Sequence, residues 1–295
     1  MKELKLGLAL GAGGTKGSAH IGVLRVLEEA GIRVDAVAGT SIGALYGGAY
    51  AAGHTAAFME EGIRTTPNRD VINFFRHRLK IRHRNRLSRR FYDALAGRQI
   101  EQLPIAFAAT ASDIIQRRNV TIDHGPLIDA IEASIAIPLI ARPVALDGTY
   151  LVDGGLWDSA PVDAAEALGA DIIVAVELGR PFTLPEPLRR PASWTAARLN
   201  SIKHHHTLAG LRFSIESMAR ELPAGRTASL VLRPPVAKYG SNSPFGMRAC
   251  LDAGKRAAED ALPAIRALLA GQPLPEVAAE HDLALEPRWV PDPGS

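Results

Sequence analysis

The stretch Val34-Asp35-Ala36-Val37-Ala38-Gly39-Thr40-Ser41-Ile42-Gly43-Ala44-Leu45-Tyr46-Gly47 decides how this chain is read. An apolar, β-branched run containing Val34 and Val37 stops at Gly39. Gly39-Thr40-Ser41-Ile42-Gly43 follows, and the small residues from Ala44 to Ala52 read as a buried helix. The order is strand, tight turn, helix, with one hydroxyl at the apex. That G-x-S-x-G form suits a nucleophile elbow, whose sharp turn tolerates little side chain beside the serine. It also suits a glycine-rich turn in an α/β domain with no chemistry at all.

Working outward, the preceding segment has the same plan. Leu4 to Leu10 reads as a strand covered on both faces. Gly11-Ala12-Gly13-Gly14-Thr15-Lys16-Gly17 reads as a flexible turn. Ser18 to Gly31 reads as a helix with an apolar stripe at Ile21, Leu24, Val26 and Leu27 and a glycine stop. Strand two is expected at Val34 to Ala38. The first 50 residues therefore read β-turn-α-β-turn-α, the unit of a parallel sheet with helices on its faces.

Further strands are expected at Ile105–Ala111, Arg118–Ile122, Thr149–Val152, Asp171–Leu178 and Ala228–Leu232. Helices are expected at Leu127–Ser134, from Val162 to Leu168, across Ala192–Leu222, and from Met247 to Ala270. Between Arg76 and Arg90 lie eight Arg or Lys residues and no acid. This is a solvated face or a surface for polyanions such as anionic lipid headgroups. No helix-turn-helix, zinc-finger, KH or RRM signature supports nucleic acid as the partner. The expected organisation is one domain over residues 1–270, with a core at 5–180, an insertion at about 58–97 and a C-terminal helical part at 192–270. A proline-rich tail follows at 271–295.

Composition narrows the classes. The chain has 295 residues, 47% hydrophobic but only 5% aromatic, so its core must be built from Ala, Leu, Val and Ile. Its net charge is +3. The lone Cys250 can form no intramolecular disulfide and reads as a small core residue. No apolar run approaches the ~18–20 residues that span a bilayer. The expected location is the cytoplasm, with any membrane contact peripheral.

A serine nucleophile needs a base and a site for the oxyanion. The glycines at 11–17 can turn successive N–H groups toward one small anion, with Gly13 and Gly14 as the leading donors. Lys16 would add positive charge there or face solvent. Dinucleotide binding fails because the third glycine of G-x-G-x-x-G falls on Lys16. A P-loop fails because Gly-Lys-Ser/Thr is absent. None of the histidines after Ser41 stands in a clear post-strand loop beside glycines. Asp153 does, at the end of a strand and before Gly154-Gly155. Taken alone it reads first as a turn-initiating aspartate, and second as a carboxylate that accepts the serine proton. Neither His20, read as a packing or capping residue, nor the adjacent His204, His205 and His206 requires a metal or proton-transfer role.

Three segments together carry more than each alone. G-A-G-G-T-K-G-S-A-H-I-G-V-L from Gly11, G-T-S-I-G from Gly39, and D-G-G-L-W-D-S-A-P-V from Asp153 resemble the patatin-like phospholipases in kind, order and spacing. A-S-I-A-I-P-L-I-A-R-P-V from Ala133 and L-G-A-D-I-I-V-A-V from Leu168 resemble them too. The resemblance implies a three-layer α/β/α fold around a mostly parallel sheet, with helical and basic insertions. It also implies a lipid acyl hydrolase working without metal or cofactor. By position, Ser41 is the implied nucleophile, Asp153 its base, and the Gly13 and Gly14 N–H groups the oxyanion hole. The family's glycine triplet here reads Ala12-Gly13-Gly14, and an alanine keeps its N–H provided its φ is negative. Ala12, Lys16 and Trp157 are candidates for the acyl channel. The alternative is a membrane- or partner-binding protein on the same fold, working through the basic stretch at 76–90.

Overall fold

The computed structural model describes residues 3–70, 86–116, 118–138, 141–156, 160–179, 228–241 and 243–274. Trp157, His204–His206, Trp289 and the expected helix across 192–222 lie outside the described residues, as does most of the basic stretch.

The architecture is α/β, built on one mixed sheet of eight strands. β1 (Leu6–Leu10), β2 (Ala36–Thr40), β3 (Ala106–Asp113), β7 (Ile172–Val176) and β8 (Leu230–Leu232) run parallel in the order β3-β2-β1-β7-β8. β4 (Arg118–Ile122) and β6 (Thr149–Asp153) pair antiparallel with β3, and β5 (Val144–Leu146) pairs antiparallel with β6. The β5–β6 hairpin turns on Asp147-Gly148, both with positive φ, as a two-residue turn of primed type requires.

The helices are α1 (Ser18–Glu29), α2 (Ile42–Ala51), α3 (Ala56–Thr65), α4 (Arg86–Leu95), α5 (Leu127–Ser134), α6 (Val162–Ala167) and α7 (Met247–Leu269). The sheet's two faces are unlike. Leu6, Leu8, Leu10, Val37, Phe107, Val174 and Val176 share the main core with α1, α2, α5 and α7. Ala9, Ala38, Ala108 and Ala175 form a shallow layer against Ala164 and Ala165 of α6. Large side chains hold the helices off one face, and alanines draw the short α6 close to the other. Cys250 is buried on α7, in the main core, as expected of a small apolar residue.

Two local expectations change. The 11–17 turn is not a flexible loop: Gly14–Gly17 wind into a short 3₁₀ turn that runs into α1, with Thr15, Lys16 and Gly17 buried. β2 starts at Ala36 rather than Val34, because Asp35 is used at the strand's edge. Its N–H donates to the Leu6 carbonyl at 2.8 Å, and its carboxylate accepts the Leu6 N–H at 3.0 Å. At the far end of the basic stretch, Arg90 and Phe91 turn inward. The Arg90 guanidinium lies 4.1 Å from the Phe58 ring centre and donates to the Phe58 carbonyl at 2.7 Å. The Phe91 ring packs 5.8 Å from that of Tyr46. These two belong to the packed body, not to an exposed basic surface.

Candidate active site

The register of β3 places the two central residues. Ala109 and Thr110 pair with β2 on one edge and with β4 on the other, and Ala111 to Asp113 pair with β4 and with β6. A strand has two edges, so β2 and β6 must share one. They run toward each other along it. β2 ends with Thr40 opposite Thr110, and β6 ends with Asp153 opposite Ala111, one rung further on. Ser41, the residue after Thr40, therefore meets Asp153 tip to tip. The Ser41 hydroxyl donates to Asp153 Oδ2 at 2.6 Å.

Ser41 leaves the sheet through a turn that few side chains adopt, with φ 56° and ψ −120°. Its neighbours must make room. A Cβ on Gly43 would run into the Leu10 carbonyl oxygen, and one on Gly39 would lie 2.5 Å from the Ala44 backbone. The sequence expectation that glycines flank the serine for space is met at both positions. Ser41 is 6% exposed and Asp153 6% exposed, so the pair is close to dry.

Burial acts on the carboxylate. Desolvation is the largest influence on Asp153 and raises its pKa from 3.8 to about 6, although the hydrogen bonds from Ser41 and from the Gly155 N–H at 2.8 Å pull it down. A carboxylate in this state accepts a proton more readily than an exposed one.

Beside the pair stands the glycine loop. Among the described residues the N–H groups of Ala12, Gly13 and Gly14 have no hydrogen-bond partner. Outside glycine, only Ser41 and Asp147 among the described residues have positive φ, so the condition set for Ala12 is met. Gly14 does need its freedom: φ is 60° and a Cβ would strike the Ser241 carbonyl. The same carbonyl accepts the Thr15 N–H at 2.7 Å, the Thr15 hydroxyl donates to Gly240 O at 3.0 Å, and the Ser18 hydroxyl donates to Met247 O at 2.7 Å. The loop is thus held from behind by a segment over 200 residues away.

His20 holds it from another side. Its Nε2 lies 2.7 Å from the Gly11 carbonyl. A carbonyl only accepts, so Nε2 carries the proton, and burial, which lowers the pKa to about 4, keeps the ring neutral. In a trans peptide the carbonyl and the next N–H point opposite ways, so pinning Gly11 O aims the Ala12 N–H. The packing role expected for His20 takes this form.

The remaining candidates fall as follows. Ala12 is buried. Lys16 does not face solvent: it is 5% exposed, its ammonium donates to the Leu178 carbonyl at 3.0 Å, and burial lowers its pKa. Among the described residues no cluster of His, Cys, Asp and Glu has the arrangement to hold a metal ion. No described helix is long and apolar enough to cross a membrane. Sequence reading passed over Ser134 and Thr110. Ser134 was visible only as part of A-S-I-A-I-P, a stretch with no chemistry assigned to it.

The family described as Patatin-like phospholipase matches residues 8–166, more than half of the chain. An uncharacterized NTE family protein of Mycobacterium tuberculosis is 36% identical over 177 residues, 59% of this chain and 49% of that protein. Lysophospholipase nte1 of Emericella nidulans is 30% identical over 258 residues, 80% of this chain and 17% of that protein. The chain thus spans about half the length of the mycobacterial relative and a much smaller share of the fungal one. Among solved structures, VipD from Legionella pneumophila aligns over 86% of this chain and 67% of its own, with a TM-score of 0.43 and 16% identity.

Proposed function

The chain belongs to the patatin-like phospholipase family, and from that premise we propose that it is a serine hydrolase of acyl lipids working through Ser41 and Asp153. The observation that carries this reading is the 2.6 Å hydrogen bond from the Ser41 hydroxyl to a buried carboxylate, beside three backbone N–H groups that are unpartnered among the described residues.

The chemistry follows from that arrangement. The Asp153 carboxylate takes the Ser41 proton as Oγ attacks the acyl carbonyl carbon. The carbonyl oxygen becomes an oxyanion, held by the N–H groups of Gly13 and Gly14, with that of Ala12 beside them. The intermediate collapses, Asp153 returns the proton to the departing alcohol oxygen, and an ester remains on Ser41. A water molecule, deprotonated by Asp153, attacks that ester; the fatty acid leaves and Ser41 regains its proton. A general base serves best when its pKa lies near the working pH. Asp153, raised to about 6, meets that condition better than an exposed aspartate would.

The substrate class is the carboxylic ester of a phospholipid or related acyl lipid. The fungal relatives are named lysophospholipases, which makes single-chain phospholipids the first to try. A fluorophosphonate probe should label wild type and fail on Ser41→Ala. Turnover of lysophosphatidylcholine or a p-nitrophenyl acyl ester should fall by about 10³-fold or more in Ser41→Ala and Asp153→Asn. Retained turnover in either variant refutes the pair. The basic stretch at 76–90 supplies the competing binding-module reading, and no described observation favours it.

A further inference from the structure

Ser134, the last residue of α5, is fully buried and stands between the two strands that the site depends on. Its hydroxyl accepts the Ser41 N–H at 2.8 Å and donates to the Thr110 carbonyl at 2.7 Å. The pairing of Thr40 with Thr110 leaves the next N–H of β2 aimed at the Thr110 carbonyl, so a regular parallel rung would join Ser41 N–H and Thr110 C=O directly. The hydroxyl is spliced into that rung.

The splice has two geometric effects. It joins the Ser41 N–H to the Thr110 carbonyl through one oxygen atom and leaves both backbone groups satisfied, as buried backbone groups must be. It also ties the elbow to the end of α5. Two residues on, the Ala136 carbonyl accepts the Asp153 N–H at 3.1 Å. One short segment, 134–136, therefore holds the backbone of both Ser41 and Asp153. Beneath it, the Thr40 and Thr110 hydroxyls hydrogen-bond each other at 2.7 Å, fixing the rung from the opposite face.

We propose that Ser134 is the positioning residue of the nucleophile: its hydroxyl bridges a rung of the β2–β3 ladder, anchors the strained Ser41 backbone to β3 and α5, and so sets the reach of Ser41 Oγ to Asp153. Ser134 touches neither substrate nor the reacting atoms. It acts through the Ser41 peptide alone. The inference rests on the hydrolase reading given above, and the experiment separates the two.

Wild type, Ser134→Ala, Ser134→Thr and Ser134→Cys are compared by steady-state kinetics on a p-nitrophenyl acyl ester, by the rate of fluorophosphonate labelling, and by Tm. Ile265→Val, in the core on α7 and away from the site, serves as a control for stability loss. Alanine should lower kcat and the labelling rate by about 10- to 100-fold, the usual cost of misplacing a reacting atom, with KM unchanged. Threonine, which keeps the hydroxyl, should recover most of the rate. Ile265→Val should lose Tm and keep kcat.

The proposal is overturned if Ser134→Ala folds and keeps kcat within about twofold of wild type, or if threonine recovers nothing while folding normally. Should alanine fail to fold, cysteine decides: it fills the same space with a poor hydrogen-bonding group, and undiminished kcat there overturns the proposal. Failure of the hydrolase reading looks different, since wild type itself would neither label nor turn over.

Discussion

Ser41 and Asp153 arrive at one point from opposite directions, and each is held there against a different force. Ser41 follows the last residue of a parallel strand and occupies a backbone conformation at φ 56° that its neighbours enforce by close contact. Asp153 ends an antiparallel strand with ordinary backbone geometry, yet its charge is buried against its preference. The strain on one side is conformational and on the other electrostatic. Conformational strain is held in place by packing, so relieving it means rebuilding the turn. Electrostatic strain is relieved by removing one charge. Substitutions on the two sides should therefore move stability in opposite directions.

The largest effect is expected at Gly43→Ala. The added methyl meets the Leu10 carbonyl, part of a central strand that cannot rotate aside. The cost should exceed the ~1–3 kcal/mol of ordinary overpacking. Tm should fall steeply and turnover should vanish; a variant with wild-type Tm would mean that the elbow is not held by contact.

Asp153→Asn should do the reverse to stability. The folded-state pKa of about 6 lies above the unfolded value of 3.8, so the native state holds this proton more tightly. Stability from this group is fully present below about pH 4 and is lost as pH rises through about 6. At neutral pH the ionised carboxylate costs about 3 kcal/mol. Asparagine carries no charge, so the variant should melt several degrees above wild type at pH 8 and level with it near pH 3.5. Equal melting at both pH values would remove the electrostatic half of the comparison.

Next in size is the pH dependence of the rate. kcat/KM should rise about tenfold per pH unit below a single limb near 6 and level off above it, because the base must be ionised. A limb near 4 would mean that Asp153 is better solvated than its burial indicates.

The smallest effect is expected at His20→Gln. A limb near 6 invites assignment to a histidine, but His20 is held neutral down to about pH 4. Glutamine retains an N–H donor for the Gly11 carbonyl and removes the titrating ring. The limb should stay where it is while kcat falls less than about tenfold. A shifted limb would transfer the titration from the carboxylate to the ring.

Much of this geometry was legible in the sequence, for reasons that differ by residue. Gly39 and Gly43 announce the elbow because close approach excludes every other residue type there. Asp153 gained meaning only in company, since Asp-Gly-Gly is a common turn. The edge of β3 shared by β2 and β6 was hidden: strand pairing joins residues over 40 positions apart, and periodicity reports faces, not neighbours. Of the two places open to Lys16, the structure excludes solvent, because its ammonium reaches the Leu178 carbonyl, a contact 162 residues away that no local pattern reports. Ser134 stood in a stretch that resembles the family but carried no sign of a role of its own. A serine at a helix end is ordinary, and its use depends wholly on which strand the helix ends against.

The staple between the glycine loop and residues 240–247 has a consequence in time. A chain growing on the ribosome has made Ser41, Asp153 and every glycine of the loop well before residue 200. Yet the carbonyls of Gly240, Ser241 and Met247 that hold Thr15 and Ser18 are still to come. Ser41, Asp153 and the glycine loop are synthesised before the brace that sets the loop. From the synthesis of Ser41 until that of Met247, the nascent chain therefore carries the serine with its glycine loop still unbraced.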